Sequence, residues 1–225
     1  MRALRTKKAV FIDRDGTLNR MVYDETHGLM DSPRRPEQVS LVPGAGMFLK
    51  KVRSMGYIII VVTNQPGIAK KTMTPGQLGA VNRRLSMLLA REGGKWDSLY
   101  YCPHHPGNGL SGNASSSLMR ICACRKPKPG LLLQAADEHG IDLTASWMIG
   151  DGLNDVQAAK AAGCRAILLT RLKIEQIERF LSMTDGVPDI IAHDFVAALV
   201  RMRGEKSADA SGSGTRRKLR MQTAL

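Results

Sequence analysis

The sequence predicts an α/β chain built on a doubly wound parallel sheet with helices on both faces. Three observations predict it. Short apolar runs at Ala9–Ile12, Tyr57–Val62, Ser146–Ile149 and Ala166–Leu169 lack the alternation of a half-exposed strand and read as strands buried on both faces. Amphipathic or alanine-rich stretches separate strands along the chain, which is the βαβ pattern. Three of the apolar runs end abruptly in small polar or acidic residues, where open α/β sheets place their chemistry.

In order, the first strand runs into Asp13-Arg14-Asp15-Gly16-Thr17. Asp13 and Asp15 can both turn towards one point past the strand tip and hold a hard cation such as Mg²⁺. Residues 19–43 have no helical period and read as a long loop beside that point. Ala45–Ser54 is a short helix stopped at Gly56. The second strand, Tyr57–Val62, ends in Thr63-Asn64-Gln65. Thr74-Pro75 is an N-cap followed by proline at the first helical position. The helix they open carries Leu78, Val81, Leu85, Leu88 and Leu89 on one side and ends near Gly93-Gly94. Ser98–Tyr101 is a third, shorter strand.

Residues 102–124 form a polar loop holding three of the four cysteines. A helix then opens at Pro129-Gly130 and closes at Gly140. The fourth strand, Ser146–Ile149, ends in Gly150-Asp151. An alanine-rich helix over Asp155–Ala162, a strand at Ala166–Leu169, a weaker strand at Asp189–Ala192 and a helix at Phe195–Arg203 follow. Beyond Gly204 the chain has too little apolar content to pack and is expected to be disordered. The expected layout is a basic tail over 1–8, one domain over 9–203 and a basic tail over 204–225.

The net charge of +13 raises nucleic acid as a partner. Residues 1–8 carry four of those charges and residues 204–225 a net three, so more than half sits in the tails. Few aromatics interleave with the basic residues, which argues against base stacking. A small anionic substrate suits the rest. No apolar run approaches the roughly 18–20 residues of a membrane span, and Ala9–Ile12 is too short for a secretory signal. A cytoplasmic, soluble monomer is expected.

The strand ends gather a constellation suited to phosphoryl transfer. Asp13 supplies a carboxylate, Thr63 a hydroxyl, Asp151 a second carboxylate, and Arg125-Lys126-Pro127-Lys128-Pro129-Gly130 a stiff basic loop before a helix N-terminus. Carboxylates for a metal, cations for phosphate charge and an aspartate free to attack are what that reaction requires. Taken singly, Thr63 is also a strand-end turn, Lys126 a surface charge, and Asp151 and Asp155 a helix cap and first-turn acid. Cys102-Pro103-His104 and Cys122-Ala123-Cys124 offer three thiolates and one imidazole, the closed tetrahedral set of a structural zinc. His105 is the rival imidazole, and Cys164 reads as a core thiol.

Asp13-x-Asp15-Gly16-Thr17, Thr63-Asn64-Gln65, Lys126 and Gly150-Asp151-x-x-x-Asp155 resemble, in order, the four motifs of the haloacid dehalogenase (HAD) superfamily of phosphatases. The resemblance implies that Asp13 attacks phosphorus to give an aspartyl-phosphate and that Asp15 protonates the leaving alkoxide, then serves as base for water. It implies that Thr63 and Lys126 hold phosphoryl oxygens. It places Mg²⁺ on Asp13, the Asp15 backbone carbonyl and Asp151, with Asp155 behind them. The cysteine–histidine pairs directly before Arg125, with Thr63–Ala69, resemble the branch of D-glycero-D-manno-heptose 1,7-bisphosphate phosphatases and histidinol-phosphatase domains. That branch implies a structural Zn²⁺ on Cys102, His104, Cys122 and Cys124. It also implies a pocket lined by Met21, Val22, Tyr23, Asp24, Asn64, Gln65, Pro66 and Arg125.

The activity implied is Mg²⁺-dependent removal of the 7-phosphate of a heptose bisphosphate, a step in supplying heptose nucleotides for lipopolysaccharide or S-layer glycans. The alternatives are a histidinol-phosphate phosphatase, or a nucleic-acid binder or 3′-phosphatase on the same fold. The segment after Asn19 is longer than in the branch and carries Arg34-Arg35. The intervals around Thr63 leave no room for a large cap domain, so an open site with selectivity in its loops is expected.

Overall fold

The computed structural model describes residues 6–25, 28–107, 117–172, 174–182 and 186–209. β1 (Lys8–Ile12) is followed by a hairpin, β2 (Val22–Asp24) and β3 (Leu29–Asp31), a 3-10 turn at Pro36–Gln38 and α1 (Ala45–Ser54). The chain continues as β4 (Tyr57–Asn64), α2 (Pro75–Arg91), β5 (Ser98–Cys102), α3 (Gly130–His139), β6 (Trp147–Gly150) and α4 (Leu153–Ala162). It ends with β7 (Arg165–Leu169), α5 (Ile174–Leu181), β8 (Ile190–Ala192) and α6 (Phe195–Asp209).

Six strands make one parallel sheet in the order β5-β4-β1-β6-β7-β8. The chain first builds outward from β1 through β4 to β5, then returns to the other side of β1 with β6. The crevice past the carboxyl ends of β1, β4 and β6 is therefore a topological switch point. The strands read as unbroken apolar runs because both faces are covered. Val10 and Ile12 of β1 pack into a layer with Phe48, Leu49, Leu85, Leu89 and Phe195, from α1, α2 and α6. Ala9 and Phe11 point into the opposite layer with Leu132, Ala136, Val156 and Ala159, from α3 and α4.

Five expectations need correction. The long loop over 19–43 contains the β2–β3 hairpin, whose three-residue strands are too short to leave a periodic signal. The alanine-rich helix begins at Leu153 rather than Asp155, since Asp155 reaches back to accept from the Gly152 N–H at 3.2 Å and so lies inside the first turn. α5 was not foreseen, although Ile174, Ile177 and Leu181 have helical spacing. α6 continues through Gly204 to Asp209, into the stretch expected to be disordered. At the other end, Lys7 bridges Ile141 and Lys8 opens β1, so the basic tail stops earlier than expected. The tail segments 1–5 and 210–225 and the middle of the cysteine loop lie outside the described residues.

The hairpin insertion is closed at its base. Arg20 N donates to Ser40 O at 2.9 Å, Val42 N to Leu18 O at 3.0 Å, and Asn19 bridges both Asp15 and Leu41. No helix among the described residues is long and apolar enough to cross a membrane.

Thr74 caps α2 as its sequence implied. Its Oγ1 accepts from Gln77 N (3.2 Å), and Gln77 Oε1 accepts from Thr74 N (2.7 Å). Thr74→Ala is expected to lower unfolding stability by about 1 kcal/mol, read as an earlier urea midpoint at unchanged slope.

Candidate active site

Adjacent strands deliver the predicted residues to one crevice. Asp13 follows β1, and its N–H donates to Ile149 O of β6 at 2.9 Å, so the ladder fixes it one residue past the strand. Thr63 is the next-to-last residue of β4 and Asp151 follows β6. Lys126 enters from the cysteine loop. Its Nζ donates to Asp13 Oδ1 at 2.7 Å, Asp155 Oδ1 at 2.5 Å and Val62 O at 2.9 Å, and the side chain is 3% exposed.

Asn64, expected to line the pocket, has its side chain engaged elsewhere. Its Nδ2 donates to Lys126 O and its Oδ1 accepts from Lys126 N, both at 3.1 Å. It therefore clamps the backbone that presents Lys126. Arg125, expected to read substrate, donates from Nη1 to His104 O at 3.2 Å.

Charge is crowded here. Burial pushes the Asp13 carboxyl up to about 7 against the attraction of Lys126, and Asp155 and Asp15 push the same way. Burial, then the Asp13 charge, push Asp151 up to about 6, although Asp151 stands exposed at the crevice mouth. Burial also raises Asp155. Lys126 is held above its ordinary value, because Asp13 and Asp155 outweigh the cost of its burial. Single carboxylate oxygens of Asp13, Asp151 and Asp155 lie within 4.8 Å of one another, with one ammonium among them. That is a hard-oxygen set short of positive charge, the donor chemistry that fits Mg²⁺. Gly16 makes room for it: a Cβ there, at φ +87°, would lie 2.1 Å from Asp151 Oδ2.

Asp15 has a different environment. Its Oδ1 accepts from Arg14 Nε (3.0 Å) and Asn19 Nδ2 (3.0 Å). Its Oδ2 accepts from Arg14 Nη2 (2.7 Å), Gln65 Nε2 (2.7 Å) and Ser32 Oγ (3.0 Å). Burial would raise its pKa, but Arg14, Asn19 and Gln65 together hold it below the ordinary carboxylate value. Gln65 Nε2 also donates to Thr63 Oγ1 at 2.9 Å, a bond that does not use the Thr63 O–H.

The cysteine loop closes as a four-point cluster. Cys102 Sγ lies 3.6 Å from His104 Nδ1 and 3.5 Å from Cys122 Sγ. Cys124 Sγ lies 3.3 Å from each of His104 Nδ1, Cys102 Sγ and Cys122 Sγ. A tetrahedron with such edges has its centre about 2.1 Å from each vertex, close to zinc–nitrogen and zinc–sulfur distances. The residues fit zinc. His105 does not compete, because its Nδ1 accepts from Gly107 N at 3.0 Å. The buried Cys164 thiol is pushed up to about 12 by burial, which suits a core thiol.

A family model described as HAD-hydrolase-like matches residues 123–198. Over 163 residues the chain is 37% identical to the D-glycero-beta-D-manno-heptose-1,7-bisphosphate 7-phosphatases of Salmonella typhi and Escherichia coli (strain K12). The match covers 72% of this chain and 80% and 78% of those two proteins. This chain belongs to the HAD family of phosphatases. Among solved structures, the D,D-heptose 1,7-bisphosphate phosphatase from B. bronchiseptica complexed with magnesium and phosphate is 28% identical. It matches with a TM-score of 0.68, covering 88% of this chain and 99% of that one.

Beside the crevice, this HAD phosphatase has a cleft of about 600 Å³. The hairpin contributes Val22, Tyr23 and Asp24, three of the residues that the resemblance placed at a pocket, to its wall, with Glu25, Asp31 and Ser32. Arg34, Arg35, Gln38, Thr72 and Gln77 complete it, whereas Met21, Asn64, Gln65, Pro66 and Arg125 are not among its walls. Arg34 Nη2 ties the hairpin legs, at 2.6 Å from Asp31 Oδ2 and 3.3 Å from Asp24 Oδ2. Sequence reasoning missed Arg14, Ser32 and Asn82 here. The first sat between two stronger signals, and the others come close only through the hairpin and α2.

Asp13 and Asp151 titrate near 7 and 6 in the folded chain, against 3.8 for a free carboxyl. Their contribution to stability is therefore full below about pH 3.8 and is lost as pH rises through 6–7. A divalent cation bound between them offsets that loss. Mg²⁺ is expected to raise the melting temperature more at about pH 8 than at about pH 5.5. An equal or larger shift at the lower pH would show that the cation binds elsewhere.

Proposed function

We propose that this HAD phosphatase removes the 7-phosphate of D-glycero-D-manno-heptose 1,7-bisphosphate through an aspartyl-phosphate intermediate. One observation carries the reading. Asp13, Thr63, Lys126 and Asp151 converge on one crevice with Asp15 between it and a polar cleft, in a chain 37% identical to named 7-phosphatases. A single chain brings these groups together, so the reading needs no second copy.

In the first step an Asp13 carboxylate oxygen bonds to phosphorus. The bond from phosphorus to the sugar oxygen breaks with its electron pair on that oxygen, which takes a proton from the Asp15 carboxyl. In the second, the Asp15 carboxylate takes a proton from water. The water oxygen bonds to phosphorus, and the bond to Asp13 breaks to release phosphate. The Thr63 hydroxyl and Lys126 ammonium hold phosphoryl oxygens, and Asp155 keeps Lys126 in place. The Asp13 and Asp151 carboxylates and the Asp15 backbone carbonyl would hold Mg²⁺, which would supply positive charge against the phosphoryl group.

The donors around Asp15 favour its carboxylate, the form the second step uses. For the first step at least one donor must give way to a proton. Ser32 is suited to that, because its hydroxyl can turn from donor to acceptor and it forms part of the cleft wall. The sugar chain lies in the cleft, among Ser32, Gln77, Arg34 and Arg35. Zinc would be held by Cys102, His104, Cys122 and Cys124, where it would order the loop that carries Lys126.

Asp13→Asn is expected to lower kcat by at least about 10³-fold and to abolish the phosphorylated peptide trapped by acid quench. A panel of heptose bisphosphate, histidinol phosphate and a 3′-phosphorylated oligonucleotide tests the substrate. Preference for either of the last two would replace the heptose reading.

Cys122→Ser is expected to lower stability, raise KM and lower kcat together, and the wild type is expected to hold about one zinc per chain. Brief chelation should stop turnover, and added Mg²⁺ alone should restore it. Restoration by zinc instead would reverse the roles given to the two metals.

A further inference from the structure

Arg14 is fully buried, and its three guanidinium nitrogens all hydrogen-bond, to two neighbours. Nε and Nη2 grip the two Asp15 oxygens at 3.0 and 2.7 Å, and Nη1 donates to Asn82 Oδ1 of α2 at 2.8 Å. A buried cation is tolerated only when paired and hydrogen-bonded. This one is paired with the group beside the cleft rather than with the Asp13–Asp155 cluster.

We infer that Arg14 is a positioning residue for departure of the leaving group, its fork fixing the plane of the Asp15 carboxylate at the cleft wall. The inference rests on the reading of Asp15 as the leaving-group acid. A two-pronged planar fork permits one orientation of a carboxylate, whereas the single bonds from Asn19, Ser32 and Gln65 each permit rotation about them. Arg14 is also the link from Asp15 to α2, a helix of 17 residues whose Leu78, Val81, Leu85 and Leu89 are buried. The orientation of Asp15 is thereby referred to the core of the fold and not only to its loops.

The leaving group supplies the test. When the bond from phosphorus to a sugar oxygen breaks, the electron pair goes to an alkoxide, which must take the Asp15 proton. An aryl phosphate such as p-nitrophenyl phosphate releases a phenolate that leaves without one. kcat/KM reports events up to that release, so it separates the two cases even if later hydrolysis of the phosphoenzyme slows.

Arg14→Gln is expected to lower kcat/KM for the sugar phosphate about 10²-fold, and that for p-nitrophenyl phosphate by no more than about threefold. Arg14→Lys, which keeps the charge without the fork, should recover only part of the loss. Asn82→Ala leaves the Asp15 contacts intact and should show the same split at smaller size. It decides the matter if Arg14→Gln does not fold. Equal losses on both substrates in these variants, or no loss in Asn82→Ala when Arg14→Gln cannot be made, would overturn the inference. Asp15→Asn separates this from the reading beneath it. If Asp15→Asn itself shows no split, the acid role of Asp15 fails, whereas a split in Asp15→Asn without one in the Arg14 and Asn82 variants removes Arg14 alone.

Discussion

A single buried ammonium holds the crevice together. Lys126 Nζ touches Asp13, Asp155 and the Val62 carbonyl, and so joins the ends of β1 and β4, the first turn of α4 and the exit of the cysteine loop. Three carboxylates gathered without it would repel one another in a medium where charge is poorly screened. Losing one partner of a buried pair typically costs about 3–5 kcal/mol, because the remaining charge is left uncompensated. The sheet order β4-β1-β6 makes the meeting possible, and Asn64 makes it repeatable by clamping the Lys126 backbone in both directions.

The two aspartates of the first motif are two residues apart yet have opposite electrostatic fates. Asp13 is pushed up by burial among other carboxylates, and Asp15 is held down by the donors that surround it. Position explains the difference. Asp13 is the first residue past a central strand and sits with Asp151, Asp155 and Lys126. Asp15 has begun the turn and meets donors from three segments: Arg14 and Asn19 of the turn itself, Ser32 after β3 and Gln65 after β4.

Much of this was legible in the sequence where local pattern and tertiary need coincide. Strands buried on both faces must be apolar throughout, so β1, β4, β6 and β7 announced themselves, and their polar ends marked the crevice. Thr74-Pro75 carries its cap chemistry in the chain and the structure uses it. What depended on distant partners was not legible. Nothing around Arg14 says that it faces Asn82, 68 residues on, and nothing at Asn64 says that its amide serves Lys126. The hairpin escaped because strands of three residues carry too little alternation, and α5 because its stripe is short. The pocket residues were all assigned by resemblance, and nothing in the local pattern around Arg34, Thr72 and Gln77 says that they line a cleft.

The closed base of the hairpin insertion has a consequence for how such a chain can diversify. Asn19 meets Asp15 on one side and Leu41 on the other, and Arg20 pairs with Ser40, so the segment leaves and re-enters the domain at nearly one place. Joining two ends already held together costs little more for a longer loop than for a shorter one. Lineages can therefore lengthen, shorten or exchange the stretch between Arg20 and Ser40 while Asp13 and Lys126 stay where they are. The hairpin is a fitting on a fixed mount, tied to the crevice below by the Ser32 hydroxyl on Asp15, the one contact an exchanged segment would have to supply again.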